Sequence, residues 1–368
     1  MAFKRMEHRD KRILALDVIK GMSVIGMVII HTLLTYADVS VQSGSIAGKF
    51  VVFLGRGTSV FLVCMGITFM TSRHQSLISA LKRGCLLLGI ALLMNFMKFI
   101  IPIWFHFAPD NFIQRYGWDA PIRMQYIYLV LLGDILQLAG MSLLVIGFIR
   151  KFVKNKYAIL FIGLSVAALS RELSGINTNI PVLNYVLDML FSNDFPAFVY
   201  FPVFPWMSFI IFGMYFGKWY MEANGDKKSL FKHILLVGVL FIAIGTPLVF
   251  LYEEYNYNDF YHMGPGGVIY FGGWTLVFLW VIHKLFLKSE NNVFIRIVQY
   301  CSRNLTSMYV IQWVLISWGK GIFGYRQNQT STVFLLIIFF IILTFLVQFL
   351  IDFLRGEKRG LQMIKRTI

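Results

Sequence analysis

The stretch ALDVIKGMSVIGMVIIHTLL, residues 15–34, decides the fold of this chain. Twenty residues, nearly all apolar, cover a hydrocarbon core of ~30 Å as one helix at ~1.5 Å per residue. Past Asp17 at its inner edge, two groups stand out inside it, Lys20 and His31, with ten residues between them. A charge or an imidazole at membrane depth normally faces protein or a watered cavity, and it marks a site by default. Eleven helical steps put the two side chains roughly 16 Å apart along the axis, one near the inner third and one in the outer half. A ligand touching both would run along the membrane normal.

The rest of the chain has the same character. Of its 368 residues 58% are hydrophobic and 14% charged, and apolar runs of helix length recur from end to end. The expectation is an all-α, polytopic integral membrane protein. A membrane β-barrel would alternate in roughly ten-residue segments instead. The basic opening, MAFKRMEHRDKR, is not followed by a small-residue cleavage site, so the first apolar segment reads as a retained helix. Cys64, Cys85 and Cys301 lie in or beside apolar segments and read as packing residues.

Ten spans are expected, near residues 13–36, 50–71, 84–104, 126–149, 157–171, 200–219, 233–252, 266–286, 297–318 and 332–354. The fifth is the shortest, and the stretch from Pro181 to Tyr200 is apolar enough to lie in the interface or re-enter. With both termini cytoplasmic, 24 of the 34 Lys and Arg residues fall on inner segments and six on outer ones. That is the bias of the positive-inside rule. The net charge of +16 is therefore read as topology and not as a nucleic-acid footprint. One domain, 1–368, is expected, with a basic N-terminus (1–12) and a basic tail (355–368).

Four more charged residues stand at membrane depth: Arg56, Lys98, Asp134 and Arg303. Lys98 reads as a snorkelling lysine whose stem reaches the interface. Asp134 is expected mid-span in the fourth helix, where it needs a partner, and Arg56 is a candidate. Lys20 has two readings, a ligand-facing charge or an inner-edge lysine paired with Asp17 three residues back. His31 has two as well, a chemical role or a hydrogen bond to a neighbouring helix. Gly133, Gly140 and Gly147 recur every seven residues, the spacing of a close helix contact. The outer loops, among them YEEYNYNDFYHMGPGG (252–267), are rich in Tyr, Asn and acids. Half of that is the ordinary aromatic belt; the rest, His262 included, suits a sugar-binding surface. HExxH, CxxC and G-x-S-x-G motifs are absent from the sequence, and GSIAGK (44–49) has the wrong spacing for a phosphate loop. No metal is called for.

Six stretches, taken in order, carry a family resemblance. RILALDVIKGMSVIGMVIIH (12–31) resembles the first helix of transmembrane acyltransferases, in which a histidine follows a basic residue at this distance. The acyltransferase-3 family and the heparan-α-glucosaminide N-acetyltransferase-like family share that opening. GTSVFLVCMGITFM (57–70) is similar to their second helix and LKRGCLLLGIALL (81–93) to the basic pair opening the third. GDILQLAGMSLLV (133–145) and FPVFPWMSFIIFGMYFGK (201–218) resemble elements of the glucosaminide acetyltransferase group. SRNLTSMYVIQWVL (302–315) is similar to a late helix with a YxxQ/H pattern. Many acyltransferase-3 members carry a second histidine where this chain has Gln312.

The resemblance implies an acyl-CoA-dependent acyltransferase. Acyl-CoA, in the first instance acetyl-CoA, would dock from the cytoplasm with its phosphates near Lys20, Lys82, Arg83 and Arg303. Its thioester would lie near His31, acting as general base or as acyl carrier. The acceptor would be a hydroxyl or amine of an extracytoplasmic or lipid-linked carbohydrate, with Asp17, Arg56, Asp134, Gln312 and His262 as supporting or acceptor-side residues. The implied location is a cell membrane, crossed many times, of the bacterial inner-membrane kind. Two other classes stay open: a transporter or flippase using the same charged cavity without chemistry, and a structural membrane subunit. A transporter would favour a repeated half, and the sequence shows none.

Overall fold

The computed structural model describes residues 13–73, 75–116, 121–178, 180–191, 199–286 and 292–356. The segments 1–12 and 357–368, most of the basic ends, lie outside the described residues, as does 192–198 of the stretch expected to re-enter. Among the described residues the regular elements are helices, joined by two isolated backbone bridges, Ala37 with Asn328 and Gly133 with Val199. In hydrocarbon every backbone amide needs an internal partner, and a helix supplies it within the segment. Each of the ten expected spans is helical. Seven helices among the described residues are long and apolar enough to cross a membrane. The fifth, Lys156–Leu169, has 14 residues and is not one of the seven.

Three spans are broken where one helix was expected, the second span into Ile46–Gly55 and Thr58–Thr71. The fourth is broken into Ile122–Leu131 and Ile135–Phe152, and the ninth into Val293–Arg303 and Leu305–Trp318. Asp134 therefore lies at the break and not in mid-helix. It caps the second fragment, accepting from the Ile135 N–H at 2.8 Å, while Gln137 returns a bond to the Asp134 N–H at 3.0 Å. This capping box satisfies donors that the break would orphan. Gly133 lies in the break and off the helix. Gly140 and Gly147 do make the expected close contact: a Cβ there would crowd Leu88 and Ala80 of the Leu77–Asn95 helix.

The chain forms two compact units. The first holds residues 1–19, 59–91 and 133–288. Its Val203–Glu222 helix is buried nearly all round through Trp206, Phe209, Phe212 and Phe216. Gly66 and Gly213 let that helix meet Thr58–Thr71 backbone to backbone, since a Cβ on either would overlap the other helix's main chain. Ser59 and Thr275 share a buried hydrogen bond of 2.6 Å in the same unit. The second unit holds residues 20–58, 92–132 and 289–368. One cluster of its core gathers Val28, Leu33, Tyr36, Ile316 and Phe340, and a second gathers Val24, Tyr300, Cys301 and Met308. Gly21 lies so close to the Val298 backbone that any side chain there would overlap it. The Leu14–Tyr36 helix and the two fragments of the ninth span are thereby fixed against each other.

Candidate active site

The second unit assembles its polar residues around His31. The imidazole projects from the Leu14–Tyr36 helix and is half-buried. Facing it, Leu305–Trp318 presents Tyr309, Gln312 and Trp313, whose spacing of three and four places them on one helix face. The His31 ring stacks on Trp313 with centroids 3.8 Å apart and planes 23° apart, and Tyr309 meets it edge-on at 6.0 Å. Gln312, fully buried, brings its amide to Nδ1, with Nε2 at 2.9 Å and Oε1 at 3.2 Å. The imidazole is thus fixed in plane by a stack and in rotation by a hydrogen bond. Its Nδ1 is taken up by Gln312.

A third element closes the arrangement, and it corrects the snorkelling expectation for Lys98. Residues Phe96–Ile100 form a π-turn at the end of the Leu77–Asn95 helix. The wider turn inserts a residue and rotates Lys98 away from the lipid-facing direction. Lys98 is 6% exposed, and its ammonium lies 3.4 Å from the Trp313 ring centroid and 4.7 Å from that of Phe99. An imidazole stacked at 3.8 Å leaves no room for an ammonium on the same indole face, so Lys98, Trp313 and His31 form a sandwich. Carbonyls of the π-turn find partners on the facing helix: Ser317 donates to the Lys98 carbonyl, and Trp318 Nε1 donates to the Met97 carbonyl at 2.8 Å. Lys320, 3% exposed, lies 3.3 Å over the Phe112 ring in the same unit.

The remaining sequence candidates are dispersed. Lys20 lies on the His31 helix and is half-buried, with Asp17 buried one turn before it. Arg303, exposed, ends the Val293–Arg303 helix in the unit that contains His31. Arg56 is exposed at the C-cap of Ile46–Gly55. Lys82 and Arg83 are exposed on the Leu77–Asn95 helix, in the first unit. His262, also in the first unit, is held by Asp259, with Nδ1 2.5 Å from Oδ2. Burial pushes the Asp259 carboxyl up, but hydrogen bonds from His262 and from the Tyr261 and His262 N–H groups outweigh it and hold the carboxyl below its usual range. Arg171 and Trp206 tie the same segment down, donating to the His262 carbonyl at 3.3 Å and the Tyr261 carbonyl at 3.0 Å.

Lys98, Tyr309, Trp313 and Lys320 are the site residues that sequence reasoning did not select. Tyr309 and Trp313 were within reach, because they flank Gln312 in the YxxQ pattern. Lys98 was not, because nothing in NFMKFI announces a π-turn.

Residues 12–253 match the family described as heparan-alpha-glucosaminide N-acetyltransferase, catalytic. Among curated proteins none matches the chain. The matched stretch covers about two thirds of the 368 residues and contains Lys20, His31 and Lys98, while Gln312 and Trp313 lie beyond it. With that coverage, the chain belongs to the heparan-α-glucosaminide N-acetyltransferase catalytic family.

Proposed function

We propose that this membrane acetyltransferase moves the acetyl group of acetyl-CoA to a hydroxyl or amine of an extracytoplasmic or lipid-linked carbohydrate, with His31 as general base. The observation that carries the reading is the doubly fixed imidazole: Gln312 at Nδ1 and Trp313 on its face. When Oε1 of Gln312 accepts the Nδ1 proton, the lone pair stands on Nε2, the atom a base needs. Nε2 then takes the proton of the acceptor O–H or N–H as that atom attacks the thioester carbonyl. The carbon–sulfur bond breaks, and the CoA sulfur leaves with the proton that the imidazolium returns. Lys20, on the same helix and roughly 16 Å away by helical rise, suits the phosphates of CoA as a point charge. The basic bias of the inner loops supports a cytoplasmic donor side and a cell-membrane location of the bacterial inner-membrane type.

Purified protein given labelled acetyl-CoA and candidate glycans tests this directly. Transfer of label with release of free CoA supports the enzyme, whereas glycan movement without release supports a transporter. His31→Ala is expected to lower turnover by roughly 10²–10⁴-fold. His31→Gln keeps an amide of similar size that cannot take a proton, and it should be as inactive as Ala. Near-normal transfer by the Gln variant would remove His31 from the chemistry.

A further inference from the structure

Within the first unit, a cleft of about 570 Å³ opens between the start of the Leu77–Asn95 helix and the end of the Ile135–Phe152 helix. Arg73, Arg150, Lys151 and Lys154 line it together with Gln75 and Ser76, and among the described residues no Asp or Glu lines it. Arg150, Lys151 and Lys154 stand close together in one concavity, and an anion occupying it is attracted by all three. Arg150 is not a loose surface charge: its Nε donates to Gln75 Oε1 at 2.8 Å, which aims the guanidinium. The Ser76 hydroxyl caps the adjoining helix by accepting from the Ser79 N–H at 3.3 Å. The positive end of that helix dipole adds to the potential in the cleft.

The cleft also has an apolar side. Leu77 and Ile78 form part of its wall, and Ile78 is exposed. Phe148 and Phe152, both exposed on the helix that supplies Arg150 and Lys151, stack with centroids 6.4 Å apart. The Lys151 ammonium lies 5.1 Å from the Phe152 ring, so the aromatic strip begins where the basic rim ends. A soluble phosphate needs only the rim. A ligand with a phosphate at one end and hydrocarbon behind it uses both. We propose that this cleft binds the headgroup phosphate of an anionic phospholipid, with its acyl chain along Ile78, Phe148 and Phe152. Basic pockets between transmembrane helices commonly serve that purpose.

Native mass spectrometry of the purified full-length protein, incubated with equimolar phosphatidylglycerol and phosphatidylcholine, tests the proposal. The wild type should retain phosphatidylglycerol preferentially and saturably. Lys151→Gln with Lys154→Gln, both exposed positions that carry no fold, should reduce that preference by roughly tenfold or more. Arg150→Gln should reduce it further. Lys228→Gln with Lys232→Gln removes the same charge from another basic segment and should leave the preference unchanged. Inorganic phosphate and free 3′-phosphoadenosine 5′-phosphate, added in excess, should not displace the lipid. Equal retention of both lipids, or an unchanged preference in the Lys151/Lys154 variant, would overturn the proposal. So would displacement by either soluble phosphate, which would make the cleft a site for a free phosphate or nucleotide.

Discussion

Gln312 can present either end of its amide to His31, and the chemistry depends on which. With Nε2 donating to Nδ1, the neutral imidazole keeps its proton on its own Nε2 and has no lone pair there. With Oε1 accepting from Nδ1–H, the lone pair lies on Nε2. The two contacts, 2.9 and 3.2 Å, are alternatives for one amide. Gln312→Glu separates them, because an ionised carboxylate can only accept. It should keep turnover within about tenfold of wild type, while Gln312→Leu should lower turnover by roughly 10–100-fold, as expected on losing the orienting partner of an imidazole. A Glu variant as inactive as Leu would remove the base role from Nε2. Lys98 acts one step further out. Its ammonium holds the indole against which His31 stacks, and a desolvated cation–π contact contributes about 2 kcal/mol. Lys98→Met should therefore lower kcat about tenfold and leave the KM for acetyl-CoA within about twofold, whereas Lys98→Arg, which keeps the cation, should recover most of the loss. A lysine that snorkelled to the interface would give no such split.

The positions of the helices were legible because apolar length is a local property, and hydrocarbon forces any such length into a helix. The breaks were not legible, because the groups that make them tolerable come from elsewhere in the chain. Asn95 donates its side-chain amide to the carbonyls of Val130 at 3.0 Å and Leu132 at 2.7 Å, which the break after Leu131 leaves without helical partners. The Tyr200 N–H takes the next carbonyl, Gly133, at 2.9 Å. Separations of 35 and 67 residues give the fourth span, read by itself, no sign of interruption. The same holds for the site: His31 and Lys20 stood out as polar residues in hydrocarbon, but the inward turn of Lys98 depends on a π-turn whose carbonyls are held by Ser317 and Trp318. Contacts between helices give a sharper test of the packing. Gly66→Ala would drive a methyl group into the Ile210 backbone, and backbone cannot yield as a side-chain tip can. It should destabilise the protein by about 1–3 kcal/mol, read as a lower melting temperature in detergent. Gly89→Ala, on a helix position with nothing within 4 Å, should be neutral or slightly stabilising. Equal effects of the two would mean that the Thr58–Thr71 and Val203–Glu222 helices do not meet as described.

At the scale of the whole molecule, the distribution of charge and the path of the chain must agree on which side each loop faces. Ten crossings put residues 105–125 and 252–265 outside and residues 219–232 inside, and this is the assignment that leaves 24 basic residues on inner segments against six on outer ones. The weak member is Lys156–Leu169, whose 14 residues rise only ~21 Å, short of a ~30 Å core. If that helix does not cross, every later segment changes side, and the basic bias after it reverses. Single cysteines decide between the two. The background needs Cys85→Ser, since Cys85 is exposed while Cys64 and Cys301 are buried. Asp110→Cys, before the short helix, should label with an impermeant thiol reagent in intact cells under either path. Asn258→Cys should label under ten crossings and stay protected under nine, and Lys227→Cys should do the opposite. Labelling at 258 without labelling at 227 would establish that the short helix crosses, with local thinning of the bilayer or snorkelling of its flanking Lys156 making up the missing length. The reverse pattern would place the Asp259–His262 motif on the cytoplasmic side and remove His262 from any role toward an extracytoplasmic acceptor.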